Sequence, residues 1–368
     1  MENHGKQLKQ LLLPLALGLL SVTAHAGEQV MNLYNFSDYI GKDTVKNFEK
    51  ETGIKVRYDV YDSDDTLQAK MLIGKSGYDV VVPTSSYMAK QIQAGIYLKL
   101  DKSKLPNLAN LDKTLMKLAE DGDPGNKYGV PWAWGTTGLG YNMSKVQPLL
   151  GKNAPYDSWD IFFKPEYLSR LKPCGVSVLD SPLDVFAVTL HYLGKDPNSN
   201  NPADYQAAFE QLKKIRPYIS QFNTTSYIND LANNDICFAF AWSGDVAMAK
   251  RRAREAGKPY ELRYVIPKSG APIWFSMMAI PKGAPDVEAA YKWINYIERP
   301  EVHAGITNEV FYPNANAASL KYVKPEIARD ASVYPPESVL KTLFLEKAIS
   351  AEIQRLENRL WTQLKNGR

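Results

Sequence analysis

Along the chain, apolar residues recur with two alternating periods, one of two residues and one of three to four. Val30 to Phe36 is an apolar run that reads as a buried strand. Asp43 then offers an N-cap, Val45 and Phe48 fall on one helical face, and Gly53 supplies the stop. Ile54, Val56, Tyr58 and Val60 alternate with polar residues, which predicts a strand with one buried face. A short helix ending near Gly74 follows, and then Tyr78 to Pro83, apolar enough for a strand covered on both faces. Such a βαβα run predicts an α/β fold built on a mostly parallel sheet flanked by helices.

A loop-rich stretch with Pro106, Gly122, Pro124 and Gly125 interrupts the alternation. Tyr128 to Trp134 then reads as a strand leading into a crossing between two lobes. The second lobe is expected to hold strands at Val176–Leu179 and Ile236–Ala241. A helix over Ala203–Ile215 would put Tyr205, Phe209, Leu212 and Ile215 on one face. After Ile280, the residues Val287, Ala290, Tyr291, Ile294 and Ile297 again have helical spacing. No internal repeat or long linker divides the chain.

The N-terminus changes the picture. Lys6 and Lys9 precede an apolar run from Leu11 to Val22, and Ala24-His25-Ala26 offers a small-residue cleavage point. This describes a secretory signal peptide over residues 1–26, too short in its apolar part to span a bilayer. The mature chain, expected in the periplasm and not membrane-embedded, has a length that suits two domains. Its formal charge falls from +4 to +3, since the leader carries two lysines and one glutamate. So small a charge, with no basic cluster, argues against nucleic acid as a partner. Cys174 and Cys237 both remain after cleavage, and in an oxidising compartment an isolated pair is most simply a disulfide. The competing reading, a catalytic thiol, has only His191 and His303 to draw on, neither in a context that suggests a base.

Candidate chemistry gathers where strands are expected to end. Phe36-Ser37-Asp38-Tyr39, Thr84-Ser85-Ser86-Tyr87 and Trp242-Ser243-Gly244-Asp245 each follow a strand, and Trp274-Phe275-Ser276 lies near a crossing. In α/β sheets, ligands sit beyond the carboxyl ends of strands. Aromatic faces attract an alkylammonium and pack on its methylenes, while a carboxylate pairs with it as water leaves. The bland alternative, ordinary helix caps and core aromatics, explains any one of these segments but less readily all of them together.

These segments, together with Val82-Pro83-Thr84, Cys174-Gly175-Val176-Ser177, Val310-Phe311-Tyr312-Pro313-Asn314-Ala315-Asn316 and Val333-Tyr334-Pro335-Pro336, resemble the periplasmic putrescine/spermidine-binding proteins of ABC transporters. The likeness runs in order through essentially the whole mature chain. It implies a two-lobe, type II Venus-flytrap fold with both lobes discontinuous: 27–134 plus 275–308, and 135–274 plus 309–368. It also implies a monomer that captures a polyamine or related amine, needs no cofactor or metal, and delivers its ligand to an ABC permease and its ATPase. Carried over, Phe36, Tyr39, Trp242, Trp274 and Tyr312 form an aromatic box. Asp38, Asp184 and Asp245 hold the amines, with Ser37, Thr84 and Ser86 as hydroxyl partners. Three positions depart from the family pattern: Phe36 is commonly Trp, Asp184 is often Glu, and Ser276 stands where an Asp joins Asp38 on one terminal amine. The loss at Ser276 points to a longer polyamine, an acylated one, or an amine with one cationic end.

Other features yield blander readings. Asp62-Ser63-Asp64-Asp65 lacks the glycine and distal glutamate of a calcium loop and is expected to cap a helix. Gly135 to Gly140 has no P-loop lysine and reads as crossing backbone. His191 is expected to pack rather than to ligate. A secreted hydrolase is the remaining enzyme class, and the chain offers it neither a Ser/His/Asp order nor a Gly-x-Ser-x-Gly elbow. A signalling receptor that docks on a membrane sensor would share every feature of the transport receptor.

Overall fold

A computed structural model describes Met1 and residues 28–367; the expected leader and its cleavage point lie outside the described residues. Among the described residues, ten strands form one continuous hydrogen-bonded sheet. They are β1 (Val30–Phe36), β2 (Lys55–Tyr61), β3 (Val80–Val81), β4 (Gly129–Asn142), β5 (Val176–Val178), β6 (Gln221–Phe222), β7 (Phe238–Trp242), β8 (Leu262–Val265), β9 (Pro272–Ala279) and β10 (Phe344–Leu345). The order is β2-β1-β3-β9-β4-β7-β5-β6, with β8 on β4 and β10 on β9. Parallel pairing dominates at both outer ends, where β2, β1 and β3, and β7, β5 and β6, run together. The antiparallel strands β4 and β9 join the two halves.

β4 is the first crossing. Its residues Gly129–Thr136 pair with β9, whereas Thr137–Tyr141 pair with β7. The change of partner falls inside the Gly135–Gly140 stretch, and glycine has a packing reason there. A Cβ on Gly135 would stand 2.6 Å from the Trp274 ring, far inside van der Waals contact. β9 is the second crossing. The third runs through β10, which pairs in parallel with Pro272 and Ile273 of β9.

Helices form where the periodicity placed them. Thr44–Thr52 follows Asp43 and ends at Gly53, whose φ of 72° suits glycine. Pro202–Ile215 buries Tyr205, Phe209, Leu212 and Ile215, and Val287–Ile297 buries its own apolar face. Ser63 caps Asp64–Leu72 through its side chain, as expected of that acidic stretch. Cys174 and Cys237 are disulfide-bonded with Cα atoms 5.5 Å apart, linking the turn before β5 to the start of β7. Among the described residues, no helix is long and apolar enough to cross a membrane.

Four details differ from the pattern-based expectation. β2 is an edge strand, so Val60 is exposed despite its alternation. The Tyr78–Pro83 run contributes only Val80 and Val81 to the ladder, although it is buried. Trp274 to Ser276 lie in the middle of a strand, not at its end, because β9 is a crossing strand. Finally, the chain beyond 308 does not stay with the second half of the sheet. Leu111 bridges Asn316, and Val323, Ile327 and Val333 pack with Ala304 on the first half. Only after β10 does the helix Ala351–Lys365 return, where Trp361 Nε1 donates to Asp180 at 2.7 Å and Arg216 Nε donates to Leu364 O at 2.9 Å.

Candidate functional site

The parallel strands of both halves point their carboxyl ends at one cleft, which β4, β9 and β10 span. β1 ends in Phe36-Ser37-Asp38-Tyr39 on one wall, and Thr84 follows β3 beside it. Opposite them, β5 leads into the helix Pro182–Tyr192 and β7 into the helix Ser243–Glu255; Asp184 and Asp245 occupy the first turns of these helices. A helix N-terminus carries partial positive charge, which lowers the cost of holding a carboxylate there. Trp274, Ser276 and Tyr312 come from the crossing segments and complete the lining.

The aromatic rings contact one another around the cleft. Tyr312 lies 5.1 Å from Tyr39 and 5.4 Å from Trp274, and Trp274 lies 6.3 Å from Trp242, centroid to centroid. Phe36 meets Tyr39 edge-on at 5.9 Å. Gly244 makes room for this assembly, since a Cβ there would collide with the Tyr312 ring.

Two of the three predicted acids are deeply buried, and both are held by hydrogen bonds. Asp245 accepts from Tyr227 at 2.6 Å and from Tyr312 at 2.5 Å. Burial nevertheless pushes its carboxyl up to about 6, the two tyrosine hydroxyls offsetting part of the rise. Asp184 accepts from Thr137, from Ser181 at 2.6 Å and from the Trp242 indole at 3.2 Å. It too is raised, chiefly by burial. Asp38 differs. It is exposed, has a positive φ of 54°, and meets Arg252 of the opposite wall at 3.3 Å.

Ser276 donates to or accepts from the Tyr39 hydroxyl at 3.2 Å. Ser37 donates to Tyr61 O at 3.3 Å, and Thr84 donates to Asp64 at 2.9 Å. Eleven of the twelve ligand-binding candidates therefore line one cleft. Ser86 does not: it is buried behind Thr84, 3.4 Å from that hydroxyl. His191 packs against Phe344 and meets Ser269 O at 2.8 Å, away from the lining.

Sequence reasoning missed Asp64, Tyr61, Thr225 and Glu346, all of which line the cleft. Asp64 was legible only as part of a helix start, a role it also fills. Burial raises its carboxyl to about 7 despite two bonds from Thr84. Glu346 follows the two-residue strand β10, too short for any periodicity to announce. Among the described residues, none of Asp64, Asp184, Asp245 and Glu346 forms an ion pair, and no group of three or more His, Cys, Asp or Glu could hold a metal ion.

Residues 43–335 match the family of bacterial extracellular solute-binding proteins. The chain is 50% identical to the putrescine-binding periplasmic protein SpuD of Pseudomonas aeruginosa over the full length of both. It is 49% identical to the putrescine-binding periplasmic protein PotF of Escherichia coli, over 96% of each chain. A solved structure of a putative spermidine/putrescine ABC transporter from Listeria monocytogenes superposes with a TM-score of 0.82. That match covers 92% of this chain and all of the other, at 33% identity. On these grounds the chain belongs to the family of bacterial extracellular solute-binding proteins, with the type II two-lobe fold of its structural neighbours.

Proposed function

We propose that this protein is a periplasmic receptor that captures a polyamine between two closing lobes and hands it to an ABC permease and its ATPase. One observation carries the reading. Asp184 and Asp245 are buried carboxylates without a cationic partner, set among the rings of Trp242, Trp274, Tyr312 and Tyr39. A carboxylate leaving water needs a charged or strongly donating partner, and an alkylammonium supplies one while its methylenes pack on the rings. Each cation–ring contact adds about 0.5–2 kcal/mol. The relatives named for putrescine support the same class of ligand.

In this reading Phe36, Tyr39, Trp242, Trp274 and Tyr312 form the box. Asp38, Asp184 and Asp245 hold ammonium groups, and Ser37, Thr84 and Ser276 serve as polar lining; Ser86 supports Thr84 from behind. The lobes are 28–136 with 273–343, and 137–271 with 346–367. Hinge motion is absorbed where β4, β9 and β10 cross, and the receptor acts as a monomer. Titration calorimetry with putrescine, cadaverine, spermidine, an acylated putrescine and 5-aminovalerate tests the proposal. At least one polyamine is expected to bind at a single site and, at 100 times its dissociation constant, to stabilise the fold by about 2.7 kcal/mol. Heat and melting temperature that respond to none of the amines would overturn it.

A further inference from the structure

Away from the cleft, the first half of the sheet buries a glutamate and a histidine side by side. Glu298 follows the helix Val287–Ile297, and His303 lies early in the helix Pro300–Val310; both are fully buried. His303 Nε2 stands 2.6 Å from Trp132 O. A carbonyl oxygen only accepts, so Nε2 is the donor, and that bond fixes where the ring carries its proton. Nδ1 faces Glu298 Oε2 at 3.3 Å, the one carboxylate within ion-pair distance of the ring among the described residues. Glu298 thereby turns Nε2 toward Trp132.

The anchored carbonyl belongs to an irregular point of β4. Pro131 pairs with Met277 and Ala133 with Ser276, so Trp132 is the extra residue of a β-bulge and has no residue opposite it on β9. A bulge bends its strand and commonly re-aims a side chain beside a site. Here the Trp132 ring packs against Tyr39 of the aromatic box, 6.3 Å between centroids. Two residues on, Trp134 N donates to Pro313 O at 2.9 Å. β4 is therefore tied twice to the segment that starts at Pro300. Both ties lie just before β4 changes partner, at Thr136 and Thr137, from β9 to β7. The same segment delivers Tyr312 to the cleft, after a turn at Phe311 with a φ of 59°. Tyr312 meets Tyr39 at 5.1 Å and donates to Asp245 of the opposite wall.

We infer that His303, oriented by Glu298, is a positioning residue for ligand capture: it clamps the bulge at Trp132 to the helix that delivers Tyr312, so that Tyr39, Tyr312 and this end of β4 move as one body when the cleft closes. This rests on the polyamine reading of the cleft. Neither His303 nor Glu298 lines the cleft, so any effect on ligand passes through Trp132. Without a donor at Nε2, the Trp132 carbonyl loses this partner inside the protein, which costs more than the bond itself contributes. The bulge is then free to shift along β9, bending spreads below Trp134, and Tyr312 loses its fixed place opposite Asp245.

Two polar replacements isolate the clamp in the full chain. Glutamine reaches as far as Nε2 and can donate to Trp132 O, whereas asparagine reaches only as far as Nδ1. Both leave Glu298 without its neighbour, so loss of stability from that cause is common to them. Calorimetry with putrescine and spermidine should show His303→Asn weakened at least roughly tenfold for each amine that wild type binds, and His303→Gln within about threefold of wild type. Equal affinities in the two variants, near wild type or both weakened, would overturn the inference. Hydrogen exchange on wild type, with and without the tighter-binding of the two amines, keeps the test decisive if either variant folds poorly. Protection is expected to rise on binding at Gly135–Tyr141 and to stay unchanged at Val130–Trp134. A rise at Val130–Trp134 as well would overturn this inference alone. Binding of neither amine by wild type would overturn the polyamine reading, and this inference with it.

Discussion

Replacing Asp245 by Asn separates what the carboxylate does for the ligand from what it costs the empty fold. The Asp245 oxygens accept from Tyr227 and Tyr312. Tyr227 has its own hydroxyl oxygen engaged by the Trp242 backbone N–H at 3.3 Å, so it must donate to the side chain at 245. The Tyr312 hydroxyl has no such constraint and can turn to accept from an amide nitrogen. Asn therefore fits with its oxygen toward Tyr227 and its nitrogen toward Tyr312, and the fold should persist. Burial raises the carboxyl from 3.8 to about 6. The empty folded protein then keeps a proton that the unfolded chain has already released between roughly pH 4 and 6. Its stability falls as pH rises through that window and levels off above it. A rise of that size corresponds to roughly 3 kcal/mol. The Asn variant carries no such penalty. Without ligand it should match wild type near pH 4 and exceed it by up to about 3 kcal/mol at pH 8. Its polyamine affinity should move the other way, because removing one partner of a buried charge pair costs about 2–5 kcal/mol. Denaturant unfolding from pH 4 to 8 and calorimetry at pH 7.5 measure both effects. Affinity within threefold of wild type, or a stability difference that ignores pH, would refute the reasoning.

Two further perturbations probe the walls of the cleft. Ser276 is 1% exposed beside the Tyr39 hydroxyl, so Ser276→Asp should add a buried anion; diamine affinity is expected to tighten at least tenfold by calorimetry, and an unchanged value would show that this position does not set ligand choice. Gly244→Ala would put a methyl against the Tyr312 ring, which must shift away from Asp245; polyamine affinity should fall at least tenfold while the circular dichroism spectrum is retained, and wild-type affinity would count against the packing argument.

Much of this architecture was legible because local periodicity and the local structure agree. The helix Pro202–Ile215 and the strand β1 each carry their apolar face in their own residues. The chemistry at strand ends was legible for a related reason: Phe36 to Tyr39 and Trp242 to Asp245 follow strands that point at one cleft. What escaped depended on partners distant in sequence. Val60 alternates correctly yet is exposed, because nothing pairs with the outer side of β2. Trp274 to Ser276 resembles a strand end, but β9 continues because β4 is there to pair with it. The segment after Val310 packs on the first half of the sheet rather than the second, and only tertiary contacts such as Leu111 with Asn316 reveal it. Glu346 gave no signal at all: a lone glutamate after a two-residue strand resembles any surface acid until β10 is docked on β9.

The acids of the cleft differ in what they can contribute, and burial decides the ranking. Asp38 already has a cation, Arg252, and the two side chains are 46% and 28% exposed. An ion pair so open to water is worth about 0–1 kcal/mol. As a bond between the two walls it therefore adds little to closure, and a ligand ammonium competing for Asp38 gains little by displacing it. Asp184 and Asp245 are at most 5% exposed and carry no cation. Their hydroxyl and indole donors reduce the cost of the charge without cancelling it, as the raised Asp245 shows. A cation arriving there recovers the remainder of that cost and meets aromatic faces at the same time. In the proposed polyamine reading, affinity is thus expected to concentrate in the two buried acids on helix N-termini, with the exposed pair at the rim contributing little.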